Sequence, residues 1–446
     1  MKKKLSTKEV ILVASTLFGM FFGAGNLIFP VHLGQLAGRN AWPAVLGFCI
    51  TAVTIPILGV AAIGSTRSGG LQDLAGHVGR KYSYFFTAAL YLTIGPLFAI
   101  PRCCTTSFTT GIAPLLSEGS SETLPLLLFS LGFFALVMFF SLKPSGITTW
   151  IGKIINPIFL FFLGVLLLVA LLEPAAAIAE VEPDAAYASA AFFPALIEGY
   201  GTMDAIAGLA FGIVVINIVR GLGLSDDGDV ARGVLKSGIF TGLLMALIYL
   251  LTIIMGTQSR GAFAVSANGG IALAQISEKY LGKAGLLVLA VTISFACLKT
   301  SIGLVTSCSE AFRQMFPSGP SYRTWAILFT LFSFGISNVG LTAIITCSLP
   351  VLMFLYPLAI TLILLAIFGK AFGHDRIVYV TVTAFAGFAA LFDLLNTLPA
   401  GLRPEGLIAA AGRFLPFFSL GLGWLIPSLI GLVLGLVLRK CRAQLH

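Results

Sequence analysis

The sequence predicts an all-α protein that crosses a membrane about twelve times, counting apolar stretches of roughly 20 residues. Of its 446 residues, 58% are hydrophobic and only 10% are charged, whereas a soluble domain carries about 25% charged residues. Two of the apolar stretches are interrupted near their middle by glycine and polar residues. The net charge of +9 is spread between apolar stretches, which indicates membrane topology rather than nucleic-acid binding.

The predicted spans are separated mostly by short connections, and their approximate limits come from hydrophobicity alone. They are 8–37, 42–64, 82–115, 124–141, 147–172, 190–221, 233–256, 283–312, 323–339, 342–369, 376–397 and 414–438. The third span contains Gly95, Pro96 and Pro101, so we expect a kink or a tilt there.

The basic residues predict how the spans are oriented. With the N-terminus inside, most of the 27 Lys and Arg residues fall on the cytoplasmic side, among them Lys2, Lys3, Arg67 and Lys143. Cytoplasmic loops of membrane proteins carry such an excess of positive charge. The sequence therefore predicts a multi-pass membrane protein with both termini in the cytoplasm.

The first span is broken by Gly23-Ala24-Gly25-Asn26. Non-helical backbone inside a membrane is tolerated only where it faces protein or a water-filled cavity. Many secondary transporters bind their solute at such half-helix ends. A glycine-rich groove for helix packing is the alternative interpretation.

A second break, from Glu198 to Asp204, interrupts the span 190–221. It lies five spans after the first break. If the chain contains two copies of a five-span unit, the odd number of spans makes the second copy enter the membrane from the opposite side. This pattern predicts two inverted five-helix repeats with a site between them. We therefore expect one transporter domain over 1–446, with repeats at about 8–172 and 190–369 and two additional helices at 376–438.

Three motifs carry a family resemblance. GMFFGAGNLIFP at 19–30, GPLFAIPR at 95–102 and GYGTMDA at 199–205 resemble the signatures of the bacterial branched-chain amino acid:cation symporters, the BrnQ-type carriers. The resemblance implies the leucine-transporter fold, with helices 1 and 6 broken. It also implies uptake of leucine, isoleucine and valine across the bacterial inner membrane, driven by a sodium or proton gradient through alternating access.

The two breaks supply candidate groups for a zwitterionic amino acid. Backbone N–H groups at the start of a half-helix suit a carboxylate, because the helix dipole is positive there. Carbonyls and a carboxylate suit an ammonium group. The predicted substrate-binding residues are Ala24, Gly25, Asn26, Arg102, Tyr200, Gly201, Thr202 and Asp204.

The charged members of this set have alternative interpretations. Asp204, at membrane depth, requires a partner such as the substrate ammonium, a cation or Arg102, unless it is a hydrated helix cap. Arg102 either holds the substrate carboxylate, pairs with Asp204, or makes a structural ion pair. Tyr200 is either a ligand or a gate, and with Phe21 and Phe22 it is a candidate wall of the side-chain pocket.

The resemblance also implies a sodium site. In sodium symporters of the leucine-transporter fold, an A-x-x-T-S segment in span eight supplies one carbonyl and two hydroxyls. Carbonyls of the first half-helix complete the set. The implied ligands are Gly19, Phe22, Cys297, Thr300 and Ser301.

Two departures from the family pattern concern the coupling ion. Lys299 lies beside the Thr-Ser pair, where the family usually has a neutral residue, and Thr109 replaces a usual glutamate. A buried lysine has a readily shifted protonation equilibrium, so Lys299 is a possible coupling residue that replaces the charge of sodium. The alternative is that Lys299 faces away from the site.

Other functions fit the sequence less well. A carrier or exchanger for another apolar amino acid is the nearest alternative, and a non-transporting sensor or channel is a more distant one. The sequence contains no Walker A or H-E-x-x-H motif, which argues against an enzyme. We expect no cofactor beyond the coupling cation, sodium or proton. The expected partners are the amino-acid substrate and the lipid bilayer, without nucleic acid or an obligate protein partner.

Overall fold

The computed structural model describes residues 4–66, 68–117, 121–142 and 147–444. Lys2, Lys3, Arg67 and Lys143, which the sequence assigns to the cytoplasmic side, lie outside the described residues. Every regular element in the described ranges is helical. The predicted all-α class is therefore confirmed.

The helices of the first half follow the predicted spans, several of which are built from two pieces. They are α1 (Thr7–Phe21), α2 (Gly25–Ala37), α3 (Ala41–Cys49), α4 (Ile55–Ser65), α5 (Leu71–Gly76), α6 (Arg80–Leu92), α7 (Ala99–Gly111), α8 (Thr123–Leu142) and α9 (Ile147–Leu172). A π-helical turn, Ile50–Thr54, joins α3 to α4.

The second half contains two longer helices that extend beyond their predicted spans. Its helices are α10 (Phe192–Glu198), α11 (Asp204–Gly221), α12 (Asp227–Ser259), α13 (Gly269–Met315), α14 (Tyr322–Ser337), α15 (Leu341–Phe368), α16 (Arg376–Asn396), α17 (Glu405–Phe414) and α18 (Leu425–Gln444). The 47-residue α13 bends at Gly282, whose φ is 63°.

Local sequence explains where several helices begin. The Ser6 hydroxyl accepts a hydrogen bond from the Glu9 N–H, while the Glu9 carboxylate accepts one from the Ser6 N–H, which is a capping box. Side-chain oxygens at other N-caps accept hydrogen bonds from the first turn in the same way. These caps are Asp226, Asn268, Ser321 and Asp375.

The predicted kink in the third span is confirmed. A π-helical turn over Thr93–Leu97 separates α6 from α7, and Gly95 within it has non-helical torsions of φ −101° and ψ −121°. Pro96 follows and has no N–H to donate to the preceding turn. The kink sets the direction of α7, which carries Arg102.

The number of membrane crossings remains a prediction. In the described part of the chain, eight helical stretches are long and apolar enough to cross a membrane. One of them, Gly25–Ser65, joins the second half of the first predicted span to the second span. Length and composition alone therefore do not test the count of twelve.

The last predicted span begins later than expected. Helix α18 starts at Leu425 rather than near 414, and the preceding segment 415–424 is partly packed into the protein, with Phe418 and Trp424 buried and Phe417 exposed. The segment contains Pro416, Gly421 and Gly423, which disfavour a continuous helix. Hydrophobicity did not distinguish this partly buried segment from a membrane helix, because both are apolar.

The half-helix α2 packs closely against α12. Gly256 of α12 faces the Val31 carbonyl of α2, and a Cβ atom at this position would clash with that carbonyl oxygen. Glycine therefore allows the two backbones to approach, as small residues do between membrane helices. This contact fixes the position of α2 after the first break.

We predict that Gly256→Ala destabilises the protein by about 1–3 kcal/mol, because the added methyl group meets backbone that cannot rotate away. The measurement is the thermal unfolding midpoint of the purified protein in detergent. Gly132→Ala in α8 is the matched control, since its Cβ would meet no atom within 4 Å. Equal midpoints for the two variants would contradict the prediction.

Candidate functional site

The first break lies between α1 and α2. It consists of Phe22, Gly23 and Ala24, and Phe22 is extended with φ −73° and ψ 101°. The Gly23 N–H donates a hydrogen bond of 2.9 Å to Oδ1 of Asn26. The first N–H groups of α2 have no acceptor within their own helix, and they lie at a cavity between the two breaks.

The second break is tighter than predicted. Gly199–Thr202 form a turn of 3₁₀ helix, and Met203 takes a left-handed conformation with φ 64° before α11 begins at Asp204. The Tyr200 carbonyl accepts a hydrogen bond of 3.0 Å from the Met203 N–H. The Tyr200 carbonyl is therefore hydrogen-bonded within the break, because the chain bends at one residue rather than unwinding over several.

Arg102 contacts the second break directly. Its Nη1 donates a 2.5 Å hydrogen bond to the Gly201 carbonyl, and its Nη2 lies 3.5 Å from the Thr202 carbonyl. The guanidinium also lies over the Phe29 ring, 5.2 Å from the centroid. Its Nε–H has no partner, although the residue is only 3% exposed. Arg102 thus binds backbone carbonyls instead of pairing with the Asp204 carboxylate.

Asp204 is held by two neutral side chains. Its Oδ2 accepts a 2.5 Å hydrogen bond from Nδ2 of Asn26 and a 3.3 Å hydrogen bond from the Tyr249 hydroxyl. Nδ2 of Asn26 also lies 2.5 Å from the Tyr249 hydroxyl. Asp204 is buried at the first residue of α11, where the helix dipole favours a negative charge. The structure therefore joins the two breaks through Asn26 and Asp204, as partners of each other.

Tyr249, on α12, is a site residue that the sequence analysis missed. It is fully buried, and its ring packs edge-on against Phe48 at 5.2 Å. In the sequence, the only indication of its role was a tyrosine in the middle of an apolar span. Tyrosine is common in membrane proteins, so this signal alone does not distinguish a site residue from a packing residue.

A cavity of about 50 Å³ lies between the breaks. Six of the predicted substrate-binding residues line it: Ala24, Gly25, Asn26, Arg102, Thr202 and Asp204. Its apolar walls are Met20, Phe21, Ile94, Ala99, Met203, Ala207, Phe211 and Leu304. Gly201 is absent from this lining and packs against Phe29. Tyr200 is also absent and stacks on Tyr356, with ring centroids 4.0 Å apart.

The structure places the predicted cation ligands at two neighbouring cavities, with Phe22 and Cys297 lining one and Thr300 lining the cavity between the breaks. The Gly19 carbonyl accepts a 3.3 Å hydrogen bond from Nζ of Lys299, while the Thr300 hydroxyl donates to the Ala296 carbonyl at 3.0 Å. The Ser301 hydroxyl is buried without a hydrogen-bond partner. Cys297 lines a smaller apolar cavity of about 10 Å³ together with Phe22. Lys299 therefore reaches one of the carbonyls that the resemblance assigns to sodium.

The family profile described as "Branched-chain amino acid transport protein" matches residues 6–442. The chain belongs to this branched-chain amino acid transport family. The family resemblance inferred from the three motifs is thus confirmed, and the chain is a membrane transporter rather than an enzyme.

Relatives in this family cover nearly the whole chain. The sequence is 51% identical to the branched-chain amino acid permease BrnQ of Lactobacillus delbrueckii subsp. lactis over 427 residues, which is 96% of each protein. It is 40% identical to the permease BrnQ of Bacillus subtilis over 444 residues, covering 100% of both.

The fold is shared with a solved transporter structure. Mhp1, a nucleobase-cation-symport-1 family transporter in a closed conformation with bromovinylhydantoin bound, matches with a TM-score of 0.63 at 14% identity. The match covers 98% of this chain and 92% of that one. The inward-facing conformation of Mhp1 gives a TM-score of 0.62. The predicted leucine-transporter-like fold is confirmed, whereas the limits of the two repeats remain a prediction.

We predict that Gly25→Ala reduces uptake of labelled leucine by at least about 10-fold, and that Gly25→Leu abolishes it, while both proteins reach the membrane. A Cβ atom at this position would lie 2.8 Å from Nη2 of Arg102, so the substitution weakens a charged hydrogen bond to the second break. Uptake into cells that express equal amounts of each protein is the measurement.

The matched control for this prediction is Gly23→Ala in the same break. A Cβ atom there would meet nothing nearer than 3.6 Å, so we expect near-normal uptake. Normal uptake by Gly25→Leu would show that the first break is only a packing feature.

Proposed function

We propose that the chain imports leucine, isoleucine and valine together with a cation across the bacterial inner membrane, by alternating access. The observation that carries this proposal is a cavity that both broken helices line. Half-helix N–H groups and Arg102 line one part of the cavity, and the Asp204 carboxylate lines another. Most of the remaining lining is aliphatic and aromatic, together with Cys103, Thr202 and Thr300. The permeases BrnQ, to which the chain is similar, have names that specify the same class of substrate.

In the proposed substrate pose, the carboxylate, the ammonium group and the side chain of the amino acid each contact a different part of the cavity. The substrate carboxylate accepts hydrogen bonds from the N–H groups of Gly25 and Asn26 and from the free Nε–H of Arg102. The ammonium group lies against the Asp204 carboxylate. The branched side chain contacts Phe21, Phe211 and Leu304, which offer no hydrogen-bonding side chain and so favour an aliphatic group.

Alternating access follows from the size of the cavity. Pockets that bind drug-sized ligands have volumes of about 300–1,000 Å³, while this cavity measures about 50 Å³. The elements around the breaks must therefore separate before a substrate enters. We propose that they open first toward one side of the membrane and then toward the other, with both termini in the cytoplasm. The distribution of Lys and Arg along the sequence supports this orientation.

The coupling ion in our proposal is a proton, and Lys299 provides the positive charge that the resemblance assigns to sodium. The contact between Nζ of Lys299 and the Gly19 carbonyl supports this assignment. An ammonium group and a sodium ion both satisfy a carbonyl oxygen, but two cations at one carbonyl repel each other. Transport with Lys299 in place is therefore expected to proceed without sodium.

We predict that proteoliposomes containing the purified chain accumulate labelled leucine when an inward proton gradient is imposed in sodium-free buffer. Unlabelled isoleucine and valine are expected to compete, and lysine and glutamate are not, because the cavity walls are apolar. The controls are liposomes without protein and liposomes in which an ionophore dissipates the gradient. No accumulation under either a proton or a sodium gradient would contradict the symporter assignment.

We predict that Lys299→Ala lowers sodium-free leucine uptake by at least about 10-fold, because the Gly19 carbonyl loses its charged partner. Added sodium is expected to restore part of the uptake by binding the freed carbonyl. Lys236→Ala, which alters an exposed lysine on α12, is the matched control. Unchanged ion dependence in Lys299→Ala would contradict the proposed role, and so would a loss of uptake that sodium does not restore.

A further inference from the structure

Four buried polar side chains lie together beside the second break: Asp393, Trp424, Tyr200 and Tyr356. Asp393 of α16 is 1% exposed, and its carboxylate faces the backbone N–H groups of Gly423 and Trp424 but no donor side chain that hydrogen-bonds to it. The Trp424 indole N–H lies against the Tyr200 hydroxyl, and the Tyr356 hydroxyl lies against Thr202. We call these four residues the Asp393 cluster. None of the four lines the substrate cavity, so contact with the substrate does not account for their polar groups.

The members of the cluster are neighbours in space although they come from four parts of the chain. The rings of Tyr200 and Tyr356 are stacked with an interplanar angle of 19°. The Tyr200 hydroxyl faces the Trp424 indole and the Asp393 carboxylate. The segment 415–424 closes over Asp393, since a Cβ atom on Gly423 would lie 3.1 Å from Oδ1 of Asp393.

The composition of the cluster argues against a metal cation. Asp393 supplies the carboxylate oxygens, while the indole N–H of Trp424 and the backbone N–H groups before α18 are donors. Alkali and alkaline-earth cations require several oxygen ligands. A carboxyl group surrounded by hydrogen-bond donors can instead exist either protonated or ionised.

The present arrangement fits the protonated form of Asp393. An ionised carboxylate without a counter-charge is costly in an apolar interior, and no charged side chain in the described part of the chain pairs with Asp393 to offset that cost beyond the backbone N–H groups of Gly423 and Trp424. The titratable groups that face it are the phenol of Tyr200 and, behind that, the phenol of Tyr356. Rotation of Trp424 and Tyr200 toward Asp393 would supply two donors to the ionised form.

The cluster is attached to the part of the molecule that must move. Tyr200 belongs to the second break, and a Cβ atom on Gly421 of the covering segment would lie 3.2 Å from Cδ1 of Ile197 in the half-helix α10. Movement of α10 and the second break therefore changes the distance between the donors and the carboxyl group. Each arrangement favours one protonation state, so that proton binding and conformation shift together.

We propose that Asp393 is a proton-binding site, coupled to the second break through Trp424 and Tyr200. The carboxylate accepts a proton from a hydronium ion, so that the O–H bond of the hydronium ion breaks as the O–H bond of the carboxyl group forms. After the break has moved, the carboxyl O–H bond breaks and the proton passes to a water molecule, which becomes hydronium. The hydroxyls of Tyr200, Tyr356 and Thr202 lie between Asp393 and the substrate cavity. This inference rests on the proposed proton-coupled import and identifies the residue that carries the proton.

The test compares Asp393→Asn with the unmodified chain in proteoliposomes, by two measurements on the same preparation. The amide keeps the size of a protonated acid and cannot release a proton. We expect accumulation of leucine under an imposed proton gradient to fall at least about 10-fold, whereas exchange of labelled for unlabelled leucine without a gradient stays within about 2-fold, because exchange requires no proton release. Thr383→Val, at a buried position on the same helix, is the matched control.

A second variant tests the connection to Trp424. Trp424→Phe keeps an aromatic ring but removes the N–H donor, so the ionised form of Asp393 loses a partner. The proton is then released less readily, and the pH dependence of accumulation should move upward by about one pH unit, which corresponds to one lost interaction with the charged form. An unchanged pH profile would overturn the role of Trp424.

The outcomes separate this inference from the proposed function. If the unmodified chain accumulates no leucine under a proton gradient, the proposed coupling fails. If the unmodified chain and Asp393→Asn accumulate leucine equally, only the proton site at Asp393 is overturned. If Asp393→Asn loses exchange and accumulation to the same extent, Asp393 is structural and the inference is also overturned.

Discussion

Backbone groups at the two helix breaks must find hydrogen-bond partners inside the membrane, and the rest of the site depends on how they do so. An unpaired N–H or C=O group in hydrocarbon costs several kcal/mol. Asn26 accepts the Gly23 N–H at the first break, and Arg102 donates to the Gly201 carbonyl at the second. Both side chains also line the cavity. The side chains that satisfy the backbone groups at the breaks are thus the side chains that a substrate in the cavity would contact.

The same requirement connects helices that are distant in the sequence. Asn26 on α2 donates to Asp204 on α11, and Tyr249 on α12 donates to the same carboxylate. Lys299 on α13 donates to the Gly19 carbonyl on α1. Each contact pairs a side chain of one helix with a polar group near the end of another. Short polar contacts therefore connect the two breaks directly, in addition to the apolar packing around them.

Local features of the sequence predicted the breaks and the kink, because glycine and proline act on the residues beside them. Gly95 and Pro96 lie at the observed kink, and Gly23 to Asn26 lie at the first break. The start of the last helix was not predicted, because the segment 415–424 is as apolar as a membrane helix. Tyr249 and Asp393 were missed for a related reason. A single polar residue in an apolar span shows no pattern that reveals which neighbours it has.

The sequence by itself determined the helical membrane fold, the positions of both breaks and the family, since composition, glycine placement and three continuous motifs each act locally. Only the tertiary structure decided the partners. It directed Arg102 to the Gly201 carbonyl, Asp204 to Asn26 and Tyr249, and Lys299 to the Gly19 carbonyl. The physical reason is that such contacts depend on the rotation and crossing of helices whose contacting residues lie 45 to 280 positions apart in the chain. Helix packing sets these angles through many small contacts.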